Sequence, residues 1–152
     1  MHVAELDPIL PAAQRLIALS DAHMDALYPS ESNHPESTAA LQLPNVLFVG
    51  GWITGELVTC GAVKILHDGV SYGEIKRVFV LEPHRGKGHS KAILQHLEAH
   101  LTVASIRLAR LETGIRQPEA LGLYRRLGYA ERGPYGGYQP DPLSVFMEKR
   151  LA

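Results

Sequence analysis

The chain has 152 residues, 45% of them hydrophobic and 20% charged, enough to bury one core and without the ~20-residue apolar run that crosses a bilayer. A formal net charge of −1 argues against a partner held by a basic surface, nucleic acid above all. The one cysteine, Cys60, cannot form an internal disulfide and reads as apolar filler in a strand. The opening residues Met1-His2-Val3-Ala4-Glu5-Leu6-Asp7 lack the basic, then apolar, layout of a signal peptide. The expectation is a cytoplasmic protein with one domain over residues 1–152, and no membrane partner.

A short strand near Val3–Leu6 comes first. Asp7-Pro8 then reads as an N-cap with proline at the first helical position, and Leu10, Ala13, Leu16, Ile17 and Ser20 keep a helical rhythm. A second short helical piece is expected through Met24, Ala26 and Leu27. The polar, proline-bounded stretch from Tyr28 to Pro35 is a loop, and such loops carry specificity when a scaffold holds them. Three strands follow in hairpin sequence: Val46–Gly50, Glu56–Leu66 and Tyr72–Val80, the last two joined at His67-Asp68-Gly69. Beyond the next helix, Ser105–Thr113 reads as a strand. A helix then runs from Pro118, with Ala120, Leu123, Tyr124 and Leu127 on one face and Gly128 as terminator. Strands near Tyr129-Ala130-Glu131 and at Val145–Lys149 close the chain.

The third strand passes through Pro83-His84-Arg85-Gly86-Lys87-Gly88-His89-Ser90 into a helix striped by Ile93, Leu97 and Leu101. Proline ends the strand because it has no N–H for the ladder. A glycine loop opening into a helix N-terminus makes an anion site, since free first-turn amides and the helix dipole point outward there. Arg85 and Lys87 add full charges, so a phosphate belongs here. Gly-Lys followed by Gly-His is not a Walker loop, and Gly86-x-Gly88-x-x ends at Lys91 rather than at the third glycine or alanine of a dinucleotide site. His96-Leu97-Glu98-Ala99-His100 has two histidines four apart, but its glutamate is one place too late for a zinc protease helix and no third ligand is evident. No metal site is expected.

What remains, Arg85-x-x-Gly88-x-Ser90, resembles the Arg/Gln-x-x-Gly-x-Gly/Ala loop of the GNAT family of N-acetyltransferases, with Ser90 standing where glycine or alanine is usual. Ala120-Leu121-Gly122-Leu123-Tyr124-Arg125-Arg126-Leu127-Gly128-Tyr129 resembles the family's Ala-x-x-Leu-Tyr-x-x-x-Gly-Phe/Tyr segment, and the order of elements matches along essentially the whole chain. Tyr28–His34 and Asp141–Lys149 also look like a subgroup of small bacterial N-acetyltransferases. The resemblance implies an α/β fold with a mixed, mostly antiparallel central sheet flanked by helices. It also implies transfer of an acetyl group from acetyl-CoA to a primary amine of a small molecule or peptide, in a chain that can pair as a homodimer.

On that resemblance, the loop Arg85, Gly86, Lys87, Gly88, His89 and Ser90 holds the pyrophosphate. Val78, Phe79 and Val80 lie along the pantetheine arm, and Gln117 stands near a cofactor-contacting position. Tyr124 matches the family's general acid, a phenol of pKa ~10 facing a thiol of ~8.5. Glu74, on the strand before the glycine loop, is the first choice of general base, with Glu112 and His34 in reserve. Acceptor recognition is expected from the loop Tyr28–His34, with Tyr28, Asn33 and His34 as contacts, and from the segment Tyr135-Gly136-Gly137-Tyr138, with Tyr138 as the contact. Two rivals remain open on sequence: a catalytically silent acyl-CoA-binding regulatory domain, and a nucleotide-binding α/β domain.

Overall fold

The computed structural model describes residues 1–152. Strands β1 (His2–Glu5), β2 (Val46–Ile53), β3 (Glu56–Asp68), β4 (Val70–Val80), β5 (Leu108–Gly114), β6 (Ala130–Arg132) and β7 (Ser144–Arg150) form one sheet in the order β1-β2-β3-β4-β5-β7-β6. Only the β4–β5 pairing is parallel; the crossover through α3 returns the chain to the same end of the sheet before β5 begins. Helices are α1 (Pro11–Leu27), a short α2 (Thr38–Leu41), α3 (His89–Val103) and α4 (Pro118–Arg126). No helix is long and apolar enough to cross a membrane.

Helices cover both faces of the central strands, so β3 is buried continuously from Leu57 to Val63 instead of alternating. On one face lies α3, whose Ile93, Leu94, Leu97 and Leu101 have no exposed surface. Each such side chain contributes roughly 1.5–3 kcal/mol relative to exposure. The helix can come this close because Gly61 and Gly73 carry no side chain: a Cβ at either would run into Ile93 or Leu101. On the other face, Ala13, Leu16, Ile17 and Ser20 of α1 form a buried stripe that packs with Phe48, Val58 and Cys60.

Two local readings of the sequence are corrected. Asp7-Pro8 does not start α1. The Asp7 carboxylate instead accepts from the Ile9 amide at 3.1 Å in a turn, and Pro11 takes the first helical position. The expected break before Met24 is absent, and α1 runs unbroken for 17 residues. The short helix α2, capped by the Ser37 hydroxyl on the Ala40 amide, has too few residues for a periodic signal.

Candidate active site

Strand β4 leaves β5 halfway along. Their pairing covers only Gly73–Ile75 against Ala109–Leu111. Just beyond, β4 bulges: Ala62 faces Lys76 and Cys60 faces Phe79, so Arg77 and Val78 together oppose Gly61. Arg77 sits at φ 59°, a left-handed conformation uncommon for any residue with a Cβ and held here by its surroundings. The imposing contacts are visible. The Arg77 guanidinium donates twice to the Glu36 carbonyl, at 3.0 and 2.8 Å, and once to Asp21 at 2.5 Å. From the β3 side, the Cys60 thiol donates to the Arg77 carbonyl at 3.3 Å and the Thr59 hydroxyl to the Phe79 carbonyl at 2.7 Å.

The bulge opens a wedge between β4 and β5 whose β4 wall is bare backbone. The Leu81 amide bonds to the Val58 carbonyl at 2.9 Å, which makes Thr59 and Val80 a non-hydrogen-bonded pair. Val80 therefore turns its own N–H and C=O away from β3, and its carbonyl accepts from Arg85 Nε at 3.0 Å. Val78 packs toward α3, whereas Phe79 packs on the opposite face, its ring under the Arg85 guanidinium at 5.5 Å.

The wedge ends over the glycine loop. Gly86 and Gly88 have φ of 77° and 82°, and Gly88 caps α3 with no side chain satisfying the first turn. The amides from Gly86 through Lys91 donate to nothing in the chain. A Cβ at either glycine would meet nothing within 4 Å, so the space above the loop is open. Open space, unpaired donors and the charges of Arg85 and Lys87 fit a diphosphate. His84 and His89 stand 6.4 Å apart, and each keeps a buried ring nitrogen, Nδ1 and Nε2 respectively, without a partner. Burial, then the neighbouring His84 and Lys87, lowers the His89 pKa.

Two cavities meet at the wedge. The smaller, about 100 Å³, is lined by Val78, Glu112, Gln117, Tyr124 and Asn33 among others. The larger, about 560 Å³, is lined by Glu74, Tyr72, Tyr135, Lys64, Glu31 and Asp141 among others. His34, Glu36, Lys76 and Tyr138 border both. Burial pushes the Glu112 carboxyl up to about 7 against the opposing effects of the Ser144 hydroxyl and Lys76, with Glu74 and Asp141 adding to the rise. The Ser144 hydroxyl donates to Glu112 at 2.8 Å. Tyr124 is raised to about 12, by burial and then by the charge of Glu112.

The residues expected from the sequence divide accordingly. Val78, Gln117, Tyr124, Asn33, His34 and Tyr138 line the smaller cavity. The loop from Arg85 to Ser90 stands at the mouth of the wedge. Glu74 lies apart from Tyr124, on the wall of the larger cavity, with Tyr135 donating to it at 2.8 Å. Tyr28 lines neither cavity. It is buried, donates to Gln117 and accepts from the Arg116 amide, each at 3.1 Å. Its ring lies against Gly114, a post under the end of β5. The sequence points to the Tyr135–Tyr138 segment but not to the bonds that fasten it, Lys76 to the Tyr138 hydroxyl and Tyr135 to Glu74, because those partners lie 62 and 61 residues apart.

The GNAT acetyltransferase family model matches residues 16–129. The chain belongs to this family. It is an acyltransferase, and acetyl-CoA is its co-substrate. The acetyltransferase is 40% identical over 149 residues to the IAA acetyltransferase of Azospirillum brasilense, covering 98% of this chain and 97% of that one. It is 32% identical to the uncharacterized N-acetyltransferase YsnE of Bacillus subtilis, over 99% of this chain and all of the relative. A crystal structure from Klebsiella pneumoniae described as a candidate acyl-CoA N-acyltransferase superposes with a TM-score of 0.82 at 38% identity, over 99% and 97% of the two chains. An aminoglycoside 6′-N-acetyltransferase crystallised with coenzyme A shares the fold, with a TM-score of 0.77 at 16% identity over 100% and 98% of the chains.

Proposed function

We propose that this acetyltransferase, as one catalytic domain over residues 1–152, transfers the acetyl group to an amine held at the junction of the two cavities. The observation that carries this reading is that Glu112 and Tyr124 line one small cavity with Val78 of β4, where burial raises the carboxyl to about 7 and the phenol to about 12. The unpaired amides from Gly86 through Lys91 hold the diphosphate, and the outward backbone of Val80 takes the pantetheine arm as an added strand. An outward N–H at Val78 donates to the thioester oxygen as charge develops there.

Glu112 replaces Glu74 as the general base. An alkyl amine of pKa ~10 enters protonated and must lose that proton before its lone pair can attack. Glu112 is about half ionised at neutral pH, lines the same cavity as Tyr124, and takes that proton. The amine nitrogen then bonds to the acyl carbon, the carbon–sulfur bond breaks, Tyr124 gives its proton to the departing sulfur, and the nitrogen sheds its second proton to water as the neutral amide forms. A phenol at about 12 keeps its proton throughout the neutral range, but it is a weaker acid than the thiol. Transfer therefore accompanies bond breaking, and the proton held by Glu112 restores the phenol.

The test is thiol release from acetyl-CoA with a panel of amines, and IAA included because the Azospirillum relative bears that name. Tyr124→Phe should bind coenzyme A normally and turn over about 10–100-fold more slowly, the usual size of a lost proton transfer. Equal rates for the two proteins would remove Tyr124 from the mechanism. Binding without turnover of any acceptor would favour a silent acyl-CoA sensor.

A further inference from the structure

Glu74 is a carboxylate with 5% of its surface exposed, and a buried carboxylate is tolerated only when it is paired and hydrogen-bonded. Both requirements are met by acceptor-side elements. Tyr135 donates to one oxygen at 2.8 Å. Lys76 lies 3.9 Å from the other. Lys76 in turn donates to the Tyr138 hydroxyl at 3.0 Å and pairs with Glu36 at 3.2 Å. Tyr135 and Tyr138 bracket a tight turn, the Tyr138 amide bonding the Tyr135 carbonyl at 3.1 Å. Their rings meet edge to face at 5.3 Å, and Tyr138 meets His34 in the same way at 5.3 Å.

These contacts reach both acceptor-side loops from one strand. Glu74 and Lys76 hold the 135–138 turn, while Lys76 and Arg77 hold Glu36 by its side chain and its carbonyl. Resting on the reading of Glu112 as base, we infer that Glu74 is a positioning residue that fixes Tyr135 and Lys76, and through them the wall between the two cavities where the acceptor amine is seated. It does not accept the substrate's proton: its Tyr135-facing oxygen is already hydrogen-bonded and it lies outside the cavity that holds Tyr124.

The experiment compares Glu74→Gln, Tyr135→Phe and the double variant at saturating acetyl-CoA, using the best amine of the panel. The acceptor KM should rise about tenfold in each single variant, the size of one lost buried hydrogen bond. The turnover number should stay within about threefold, the signature of lost binding rather than lost transition-state contact. The KM for acetyl-CoA and the acidic limb near pH 7 should not move, and the double variant should be no worse than the worse single one. A fall in turnover of about a hundredfold with loss of that limb would make Glu74 the base and overturn the inference. An unmoved acceptor KM in Tyr135→Phe, which keeps the ring and so tests the point even if Glu74→Gln does not fold, would overturn it too. If instead Glu112→Gln keeps the parent's rate and limb, the assigned base fails, while the KM result for Glu74 still stands or falls by itself.

Discussion

At Glu112 activity and stability pull in opposite directions. Its ordinary pKa of 4.5 rises to about 7 in the folded protein, chiefly by burial, so the folded state binds the proton more tightly than the unfolded chain. The stability this lends is complete below about 4.5 and is lost as pH rises through 7. Glu112→Gln should therefore stabilise the protein by up to about 3 kcal/mol at pH 8 and by little at pH 4, measured by denaturant titration at both values. Catalysis needs the opposite form. In the parent, kcat/KM should climb through about pH 7 as Glu112 ionises, and in Glu112→Gln it should drop by about 10²–10⁴-fold and lose that dependence. A pH profile unchanged by the substitution would show that another group is titrating. The sequence ranked Glu74 ahead of Glu112 on the family resemblance, because both are glutamates in strands and nothing local separates them. Their difference lies in partners, Tyr135 for one and Ser144 for the other.

Elements show the same division between what local pattern reveals and what it hides. The anion loop was legible because glycine spacing and the Ile93, Leu97, Leu101 stripe are properties of adjacent residues, and Gly88 does cap α3. The bulge at Arg77 was not. Nothing in Glu74-Ile75-Lys76-Arg77-Val78 departs from a good strand, and the distortion is imposed by Glu36 and Asp21, 41 and 56 residues away. Tyr28 is hidden for a like reason, since a tyrosine in a polar loop gives no hint that its hydroxyl bonds Gln117 and the Arg116 amide. At the loop itself, Gly88→Ala has room for its methyl but must hold φ at 82°, at a cost of roughly 1–2 kcal/mol. Its coenzyme A dissociation constant should rise about tenfold by calorimetry, with the acceptor KM unchanged. An unaltered dissociation constant would move the diphosphate elsewhere.

Across the whole molecule, β1–β4 and β5–β7 form two sub-sheets joined along the strands by three residue pairs, Gly73–Ile75 with Ala109–Leu111. A co-substrate lying in the wedge adds a second line of contacts between them. Coenzyme A at a hundredfold excess over its dissociation constant should add about 2.7 kcal/mol, or roughly 5–10 °C in melting temperature for a chain of this size. Hydrogen exchange should slow at the Val78 and Val80 amides, and a melting curve indifferent to coenzyme A would refute the bridging. The same seam has a bearing on turnover in the cell. Because so short a join would open before the rest of the sheet, the ligand-free enzyme should be nicked by proteases sooner than the loaded one, and its lifetime would then follow the supply of acetyl donor.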